Sequence, residues 1–247
     1  MKTYVINMLK DIVKRAQIEA QLAKHPELDY QIWEAVEGRK LTEQEQAKLI
    51  LPEFKQRYGK SASLPAAGCS LSHASIYKEM MDKDIQCALI LEDDARLAND
   101  LKIEDCLDAI NNDKPSAILL TPDFWYMKND LVKVIDGKYC IFNLYNAYMT
   151  SGYIINKAGA ELLYKINFPI QYTADAWQIF IRKGLILYGI APHVVSFPDE
   201  CGEIGMAGNT PTKGWKKYRS KLIKLYLEMI WIKMYIYGHR RSRKLWR

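Results

Sequence analysis

Short apolar runs alternate along this chain with longer segments in which apolar residues recur at helical spacing. The runs are rich in β-branched residues and predict strands at Thr3–Met8, Tyr30–Val36, Cys87–Leu91, Ser116–Leu120, Tyr139–Tyr145, Met149–Ile155, Leu185–Ile190 and His193–Phe197. Helical spacing predicts helices at Asp11–Lys24, Gly68–Met81, Ala158–Lys165 and Ala174–Lys183. Another helix is expected to begin at Thr42, with Glu45 completing a capping box. This alternation predicts an α/β fold of αβα layers around a mostly parallel sheet.

The composition of the chain indicates a globular protein. The chain has 247 residues, of which 49% are hydrophobic and 26% are charged, as in ordinary globular domains. It has no apolar run of the length, about 18 residues, that crossing a membrane requires. The first residues turn polar too soon for a secretory signal, so we expect a cytoplasmic protein. Five Cys residues without a C-x-x-C pair argue against a disulfide framework or a structural zinc site.

Three consecutive acids, Glu92, Asp93 and Asp94, follow the apolar run Cys87–Leu91. Such carboxylates repel one another unless solvent or a cation compensates, and hard oxygen ligands suit Mn²⁺ or Mg²⁺. Because successive strand residues point to opposite faces, we expect Glu92 and Asp94 on one side and Asp93 on the other. The predicted chemistry is a divalent cation gripped by Glu92 and Asp94; the alternative is a solvated acidic turn.

A second motif, Gly68-Cys69-Ser70-Leu71-Ser72-His73, precedes the acids. We expect it to open a helix, whose free N–H groups and dipole favour an anion. Ser70, Ser72 and His73 would then contact a phosphate or a ribose. A capping serine and a surface histidine would explain the motif equally well.

Five ordered segments resemble glycosyltransferase family 25, the lipopolysaccharide and lipooligosaccharide galactosyltransferases. They span about residues 2–200. They are Tyr4-Val5-Ile6-Asn7-Met8 with Arg15, the motif beginning at Gly68, Leu89-Ile90-Leu91-Glu92-Asp93-Asp94, Thr150-Ser151-Gly152-Tyr153-Ile154-Ile155 with Gly159-Ala160, and Asp175 before a helix.

The resemblance implies a GT-A-like, Rossmann-type fold over residues 1–212. It also implies a UDP-sugar donor, most often UDP-galactose, inverting transfer, and Mn²⁺ or Mg²⁺ as cofactor. Glu92-Asp93-Asp94 stands where a D-x-D motif is expected. Asp94 is then the expected direct metal ligand, Glu92 binds directly or through water, and Asp93 belongs with the donor-binding residues.

Asp175 is the candidate general base for the acceptor hydroxyl. Two alternatives stay open, a sugar contact and an acid that favours its own helix N-terminus. Asp199, Glu200 and Glu203 are rivals within a Gly-punctuated segment. Asn7 and Arg15 are predicted nucleotide contacts, and His193 is a candidate third metal ligand; structural roles explain each of them as well.

Basic charge is concentrated at the C-terminus. Residues 213–247 contain 12 of the 35 Lys and Arg residues and only one acid, Glu228, so the rest of the chain is net acidic. Within this tail, Leu222–Tyr237 mixes apolar, aromatic and basic residues. We expect an amphipathic helix that binds an anionic membrane surface and brings the enzyme to a lipid-linked glycan acceptor. A helix packed on the body is the alternative; nucleic acid is not expected as a partner.

These features predict an inverting, metal-dependent UDP-sugar glycosyltransferase, located at the inner face of the inner membrane. The alternative from another class is a non-catalytic membrane- or nucleic-acid-binding module on a degenerate α/β fold. A third interpretation, metal-dependent phosphoester hydrolysis, would usually require more His or acidic ligands elsewhere than the four His residues provide.

Overall fold

The computed structural model describes residues 1–98, 103–110, 113–196 and 239–241. Its strands are β1 (Lys2–Asn7), β2 (Asp29–Glu34), β3 (Cys87–Glu92), β4 (Arg96–Leu97), β5 (Ser116–Leu119), β6 (Phe124–Ile135), β7 (Tyr139–Ala147), β8 (Gly152–Asn156), β9 (Ile186–Ala191), β10 (Val195–Ser196) and β11 (His239–Arg241). Its α-helices are α1 (Ile12–Leu22), α2 (Glu43–Leu49), α3 (Pro52–Tyr58), α4 (Lys60–Asp82), α5 (Lys157–Asn167) and α6 (Trp177–Arg182). Short 3₁₀ helices cover Gly38–Lys40 and Ile103–Ala109.

Within these residues, nine strands form one sheet in the order β11-β6-β7-β9-β5-β8-β3-β1-β2. Strands β2, β1, β3, β5, β9 and β6 run in one direction, and β8, β7 and β11 run against them. The sheet is therefore mostly parallel in direction, with antiparallel strands inserted. The edge that carries the ends of β1 and β3 is the place where ligands of α/β sheets usually bind.

Alternate residues of β1 enter two separate cores. Val5 packs with Ile18 of α1 on one face of the sheet, whereas Tyr4 packs with Ile76 of α4 and Leu163 of α5 on the other. Since successive strand residues point to opposite faces, an entirely apolar strand is what a sheet covered on both faces requires. The predicted αβα layering is confirmed.

A third core lies under α2, α3 and the first half of α4. It contains Phe54, Ala66 and Leu71. Helix α2 begins as predicted: the Thr42 hydroxyl accepts from the backbone of Glu45, whose carboxylate accepts from Thr42. No described helix combines the length and the apolar character that a membrane crossing requires.

The eight predicted strands are confirmed as β1, β2, β3, β5, β7, β8, β9 and β10. The sequence pattern missed β6, a long strand whose pairing with β7 is interrupted by register shifts. In β6, the apolar residues Leu131 and Val134 are 47% and 49% exposed. Apolar and polar residues therefore do not alternate along β6 as they do along a half-buried strand.

Two predicted helix starts are wrong. Helix α4 begins at Lys60 and not at Gly68, and Ala66 and Ala67, which precede Gly68, pack in the third core. Helix α6 begins at Trp177 and not at Ala174. The predicted tail helix at Leu222–Tyr237 lies outside the described residues, as do Asp199, Glu200 and Glu203. From the predicted tail, His239–Arg241 pair with β6 as an edge strand; the boundary at residue 212 stays a prediction.

Candidate active site

The acidic triplet lies at a turn and does not extend the strand. Strand β3 ends at Glu92, and the Ala95 N–H donates to the Glu92 carbonyl over 3.0 Å, closing a turn through Asp93 and Asp94. The strand alternation expected for these acids is therefore wrong beyond Glu92. Because of this turn, the side chains of Glu92, Asp93 and Asp94 each have different surroundings.

Asp93 is held from the side of β1 and α1. The Asn7 amide donates to its Oδ2 atom over 2.8 Å, and the Lys14 ammonium lies 3.5 Å from its Oδ1 atom. Burial raises the pKa of Asp93, although Asn7 and Lys14 act in the opposite direction. Asn7 itself is 3% exposed, and its side-chain amide contacts the Asp93 carboxylate. Lys14, which the sequence reasoning missed, supplies the local positive charge.

Glu92 is held from the opposite side, by α4 and the segment before β8. Its Oε1 atom accepts from the Thr150 hydroxyl over 2.5 Å and lies 3.5 Å from His73 Nε2. Burial alone would raise the pKa of Glu92, but His73, Thr150 and Lys14 outweigh burial and hold that pKa below its usual value. Glu92 is therefore kept as a carboxylate.

Asp94 carries the most strongly perturbed carboxyl of the triplet. Burial and the charges of Glu92 and Asp93 raise its pKa to about 6, and its Oδ1 atom is buried without a hydrogen-bond partner. A buried carboxylate oxygen without a partner is costly. A divalent cation would supply both the missing partner and the missing positive charge, so these residues fit a Mn²⁺ or Mg²⁺ ion.

Gly68 lies inside α4, so the predicted anion site at a helix N-terminus is wrong: interior N–H groups belong to the helix ladder. The glycine is needed for close packing. A Cβ atom there would lie 2.4 Å from the Val36 carbonyl oxygen and 2.6 Å from the Gly38 nitrogen. The buried Ser72 hydroxyl accepts from the Val36 N–H and donates to the Gly68 carbonyl, both over 2.8 Å.

Ser70 connects α4 to the loop that carries Asp175. Its buried hydroxyl lies 3.0 Å from the Ala66 carbonyl and 3.2 Å from the Tyr172 carbonyl. The Tyr58 hydroxyl accepts from the Thr173 N–H over 3.3 Å. Asp175 is half-buried in the turn before α6, not in a first helical turn as expected. Its position is set by these contacts from α3 and α4.

Cys69 lies beside Glu92. Burial raises the pKa of its thiol, and the charges of Glu92, Asp175 and Asp94 raise it further. The charge of Asp175 therefore acts on the same thiol as the charges of Glu92 and Asp94. The Cys69 Sγ, His73 Nε2 and Glu92 carboxylate atoms lie within 4.8 Å of one another.

Two other predicted residues have different neighbours. The Arg15 guanidinium pairs with Glu19 on α1 over 3.1 Å. His193 is 5% exposed; its Nδ1 atom lies 3.1 Å from the Ile190 carbonyl, and its ring packs edge-on against Phe124. In the described part of the chain, the histidine beside the acids is His73.

Sequence reasoning missed Lys14, Cys69 and Thr150. Lys14 and Cys69 directly precede Arg15 and Ser70, two residues that were predicted to contact the donor. The helical period would have placed Cys69 and His73 one turn apart on the same face of α4. Nothing local predicted that Thr150 would meet Glu92, since 58 residues separate them.

The sequence profile described as glycosyltransferase family 25 (LPS biosynthesis protein) matches residues 1–177. The chain belongs to this family.

Human procollagen galactosyltransferase 2 is 26% identical over 85% of this chain and 37% of its own length. The mouse procollagen galactosyltransferase 2 is 28% identical with the same shares. A bovine relative, 25% identical over 66% of this chain and 28% of its own length, is named a probable inactive glycosyltransferase 25 family member 3. The chain thus spans 28% to 37% of the length of these curated relatives.

Among solved structures, a glycosyltransferase involved in glycosylation of the PBCV-1 major capsid covers 75% of this chain and 80% of its own. Its identity is 12% and its TM-score is 0.37. The galactosyltransferase LgtC, in complex with donor and acceptor sugar analogues, covers 76% of this chain and 73% of its own, with 12% identity and a TM-score of 0.33.

Proposed function

We propose that this chain is an inverting glycosyltransferase that moves galactose from UDP-galactose to a hydroxyl of a glycan acceptor. Membership of glycosyltransferase family 25 supports the transferase class. The names of the human and mouse relatives support galactose as the sugar. UDP-sugar binding is assigned to the edge of the sheet where β1 and β3 end.

The observation that carries this proposal is the buried Oδ1 atom of Asp94, without a hydrogen-bond partner beside two further carboxylates. Glu92 and Asp94 would hold Mn²⁺ or Mg²⁺. When bound, such a cation supplies Lewis acidity at a diphosphate leaving group. Asn7 and Lys14 keep Asp93 in place, while Thr150 and His73 keep Glu92 charged and oriented.

Asp175 is the proposed general base. The acceptor oxygen attacks the anomeric carbon, its proton passes to the Asp175 carboxylate, and the bond from that carbon to the UDP oxygen breaks. A base must lie within reach of the attacking hydroxyl. Asp175 lies on the loop held by Ser70 and Tyr58, and its charge acts on the same Cys69 thiol as the charges of Glu92 and Asp94, which supports this role. Ser70 and Ser72 then act by fixing the scaffold.

For the acceptor we propose a lipid-linked glycan of the lipooligosaccharide type. The family description, LPS biosynthesis protein, supports this class, and the basic residues within 213–247 would hold the chain peripherally at an anionic inner-membrane surface. The curated relatives are named for procollagen. A procollagen-derived peptide is therefore the competing acceptor to test.

Release of UDP by the purified chain tests the proposal directly. UDP-galactose, UDP-glucose and UDP-N-acetylglucosamine are supplied separately with Mn²⁺, with either acceptor, and again with EDTA. We expect release with UDP-galactose and lipooligosaccharide that EDTA abolishes and Asp94→Asn eliminates. Asp82→Asn, an exposed acid at the far end of α4, is the matched control and should retain activity.

A non-catalytic binding module is the second candidate, and the name of the bovine relative favours it. It predicts no UDP release with any donor and acceptor. If calorimetry also detects no UDP binding, the transferase proposal is wrong. Release that persists in EDTA would overturn the metal assignment alone.

A further inference from the structure

Three side chains of different chemistry converge beside the acidic turn. Cys69 and His73 lie one turn apart on α4, and both face Glu92 at the end of β3. Their ligand atoms, a thiol sulfur, an imidazole nitrogen and a carboxylate oxygen, all lie within 4.8 Å of one another. The His73 Nε2 and Glu92 Oε1 atoms are separated by 3.5 Å.

The imidazole nitrogen that faces this cluster has no hydrogen bond. His73 is 1% exposed, and its Nε2 atom is buried without a hydrogen-bond partner. Its other ring nitrogen, Nδ1, lies 2.8 Å from the Tyr153 hydroxyl, which lies 2.7 Å from the Tyr77 hydroxyl. When a cation is bound, the ring proton would lie on Nδ1 and be donated to Tyr153, and the Nε2 lone pair would face the cation; without a cation, a proton on Nε2 faces the Glu92 carboxylate. Metal-binding histidines are commonly oriented by such a bond from the second nitrogen.

We propose that Cys69, His73 and Glu92 form a binding site for a borderline divalent cation of the Zn²⁺ type. Thiolate, imidazole and carboxylate are the ligands that zinc takes in proteins, with a fourth position left for water or another ligand. A thiolate and an imidazole favour zinc over Mg²⁺ and Mn²⁺. On binding, a sulfur–metal bond forms and the Cys69 proton passes to solvent, as metal binding to a thiol requires.

This site differs from the proposed Mn²⁺ or Mg²⁺ site in its ligands but shares Glu92 with it. Occupation by zinc removes Glu92 from the hard cation, so zinc should inhibit transfer by competing with Mn²⁺. The binding step needs neither donor nor acceptor. It is therefore measured independently of the proposed function, and either proposal can fail alone.

Cobalt(II) substitution on the full chain gives a spectroscopic test. Bound Co²⁺ should produce a thiolate-to-metal charge-transfer band in the wild type and in Cys87→Ser, a matched control at the start of β3. The band should be lost in Cys69→Ser. His73→Gln should abolish tight Zn²⁺ binding in calorimetry, and Tyr153→Phe should weaken it by about 10- to 100-fold. Asp94→Asn should keep the band, which separates this site from the hard-cation site.

Alkylation of the wild-type protein provides a measurement that needs no variant. Zn²⁺ should slow iodoacetamide modification of Cys69, located by peptide mass spectrometry, and leave the rate at Cys87 unchanged; Mg²⁺ should protect neither. Equal Cys69 modification with and without Zn²⁺ would overturn the proposal. So would a charge-transfer band that persists in Cys69→Ser.

Discussion

The Asn7 side-chain amide donates to the Oδ2 atom of Asp93 over 2.8 Å, which joins the end of β1 to the acidic turn after β3. The two residues are 86 positions apart, yet β1 and β3 are neighbours in the sheet, with Ile6 paired to Glu92. A buried carboxylate is thus stabilised by a neighbouring strand, and the shape of the acidic turn depends on this contact.

Asn7→Ala should therefore destabilise the protein. It leaves the partly buried Asp93 carboxylate without its amide donor, and loss of a partner for a buried charged group costs about 1–3 kcal/mol. Urea denaturation at pH 7 measures the free energy of unfolding. Asn143→Ala, at an exposed position of β7, should change it by less than about 0.5 kcal/mol. If Asn7→Ala and Asn143→Ala lowered the free energy of unfolding equally, the role assigned to Asn7 would be contradicted.

The metal-free protein should lose stability as pH rises because of Asp94. Its pKa is raised to about 6 in the folded state, above the ordinary Asp value of about 3.9. Below both values the group is protonated in both states and imposes no penalty. As pH rises from about 4 to 6, the unfolded state loses its proton first, and a penalty of about 1–3 kcal/mol develops and then stays constant.

Urea denaturation of wild type and Asp94→Asn at pH 4 to 8 in EDTA checks this expectation. The variant should be the more stable protein above pH 6, and the difference should disappear near pH 4. Adding Mn²⁺ at pH 7 should stabilise the wild type and not the variant, because a ligand stabilises only the state that binds it. A pH-independent difference would exclude ionisation of Asp94 as the cause.

Asp175→Asn should reduce turnover much more than donor affinity. A general base contributes about 10²- to 10⁴-fold to the rate, whereas UDP-galactose binding does not require the proton acceptor. Steady-state rates and calorimetric donor affinity give the two quantities. Asp136→Asn, at an exposed turn between β6 and β7, is the control. A loss confined to donor affinity would make Asp175 a sugar contact.

Gly68→Ala should destabilise the fold because its Cβ atom would collide with backbone atoms at 2.4 and 2.6 Å. The backbone must then shift, at a typical overpacking cost of about 1–3 kcal/mol. Thermal unfolding measures the effect. Gly137→Asn, at an open turn position with φ +66° that Asn tolerates, should unfold near the wild-type temperature. If Gly68→Ala unfolded at the wild-type temperature, the packing around Gly68 would be looser than these distances indicate.

The basic tail should bind anionic membranes. The triple variant Lys216→Glu, Lys217→Glu and Arg219→Glu should reduce flotation with vesicles that contain phosphatidylglycerol, since each nearby basic residue adds about 1 kcal/mol of attraction. Neither protein should float with purely zwitterionic vesicles. Flotation of the triple variant equal to that of wild type would reject this role for the tail.

The sequence pattern alone predicts every core strand except β6 and places the acids at the end of β3. Runs such as Cys87–Leu91 are apolar on both faces, which only a covered strand tolerates, and the acids that follow must lie at its end. The capping box of Thr42 and Glu45 is equally local, because all of its hydrogen bonds join residues three apart. These features depend on neighbours along the chain, so their pattern is visible without tertiary structure.

Which side chains contact the acids follows from the packing of the fold. Lys14 reaches Asp93 because α1 packs beside β1, and Thr150 reaches Glu92 because β8 pairs with β3. Cys69 and His73 face the acids because α4 begins at Lys60 and presents that side of the helix to the sheet. Such contacts depend on sheet order and helix placement, which the packing of the whole core fixes. Local periodicity places Cys69 and His73 on one face of α4, but it does not show that this face meets the acids.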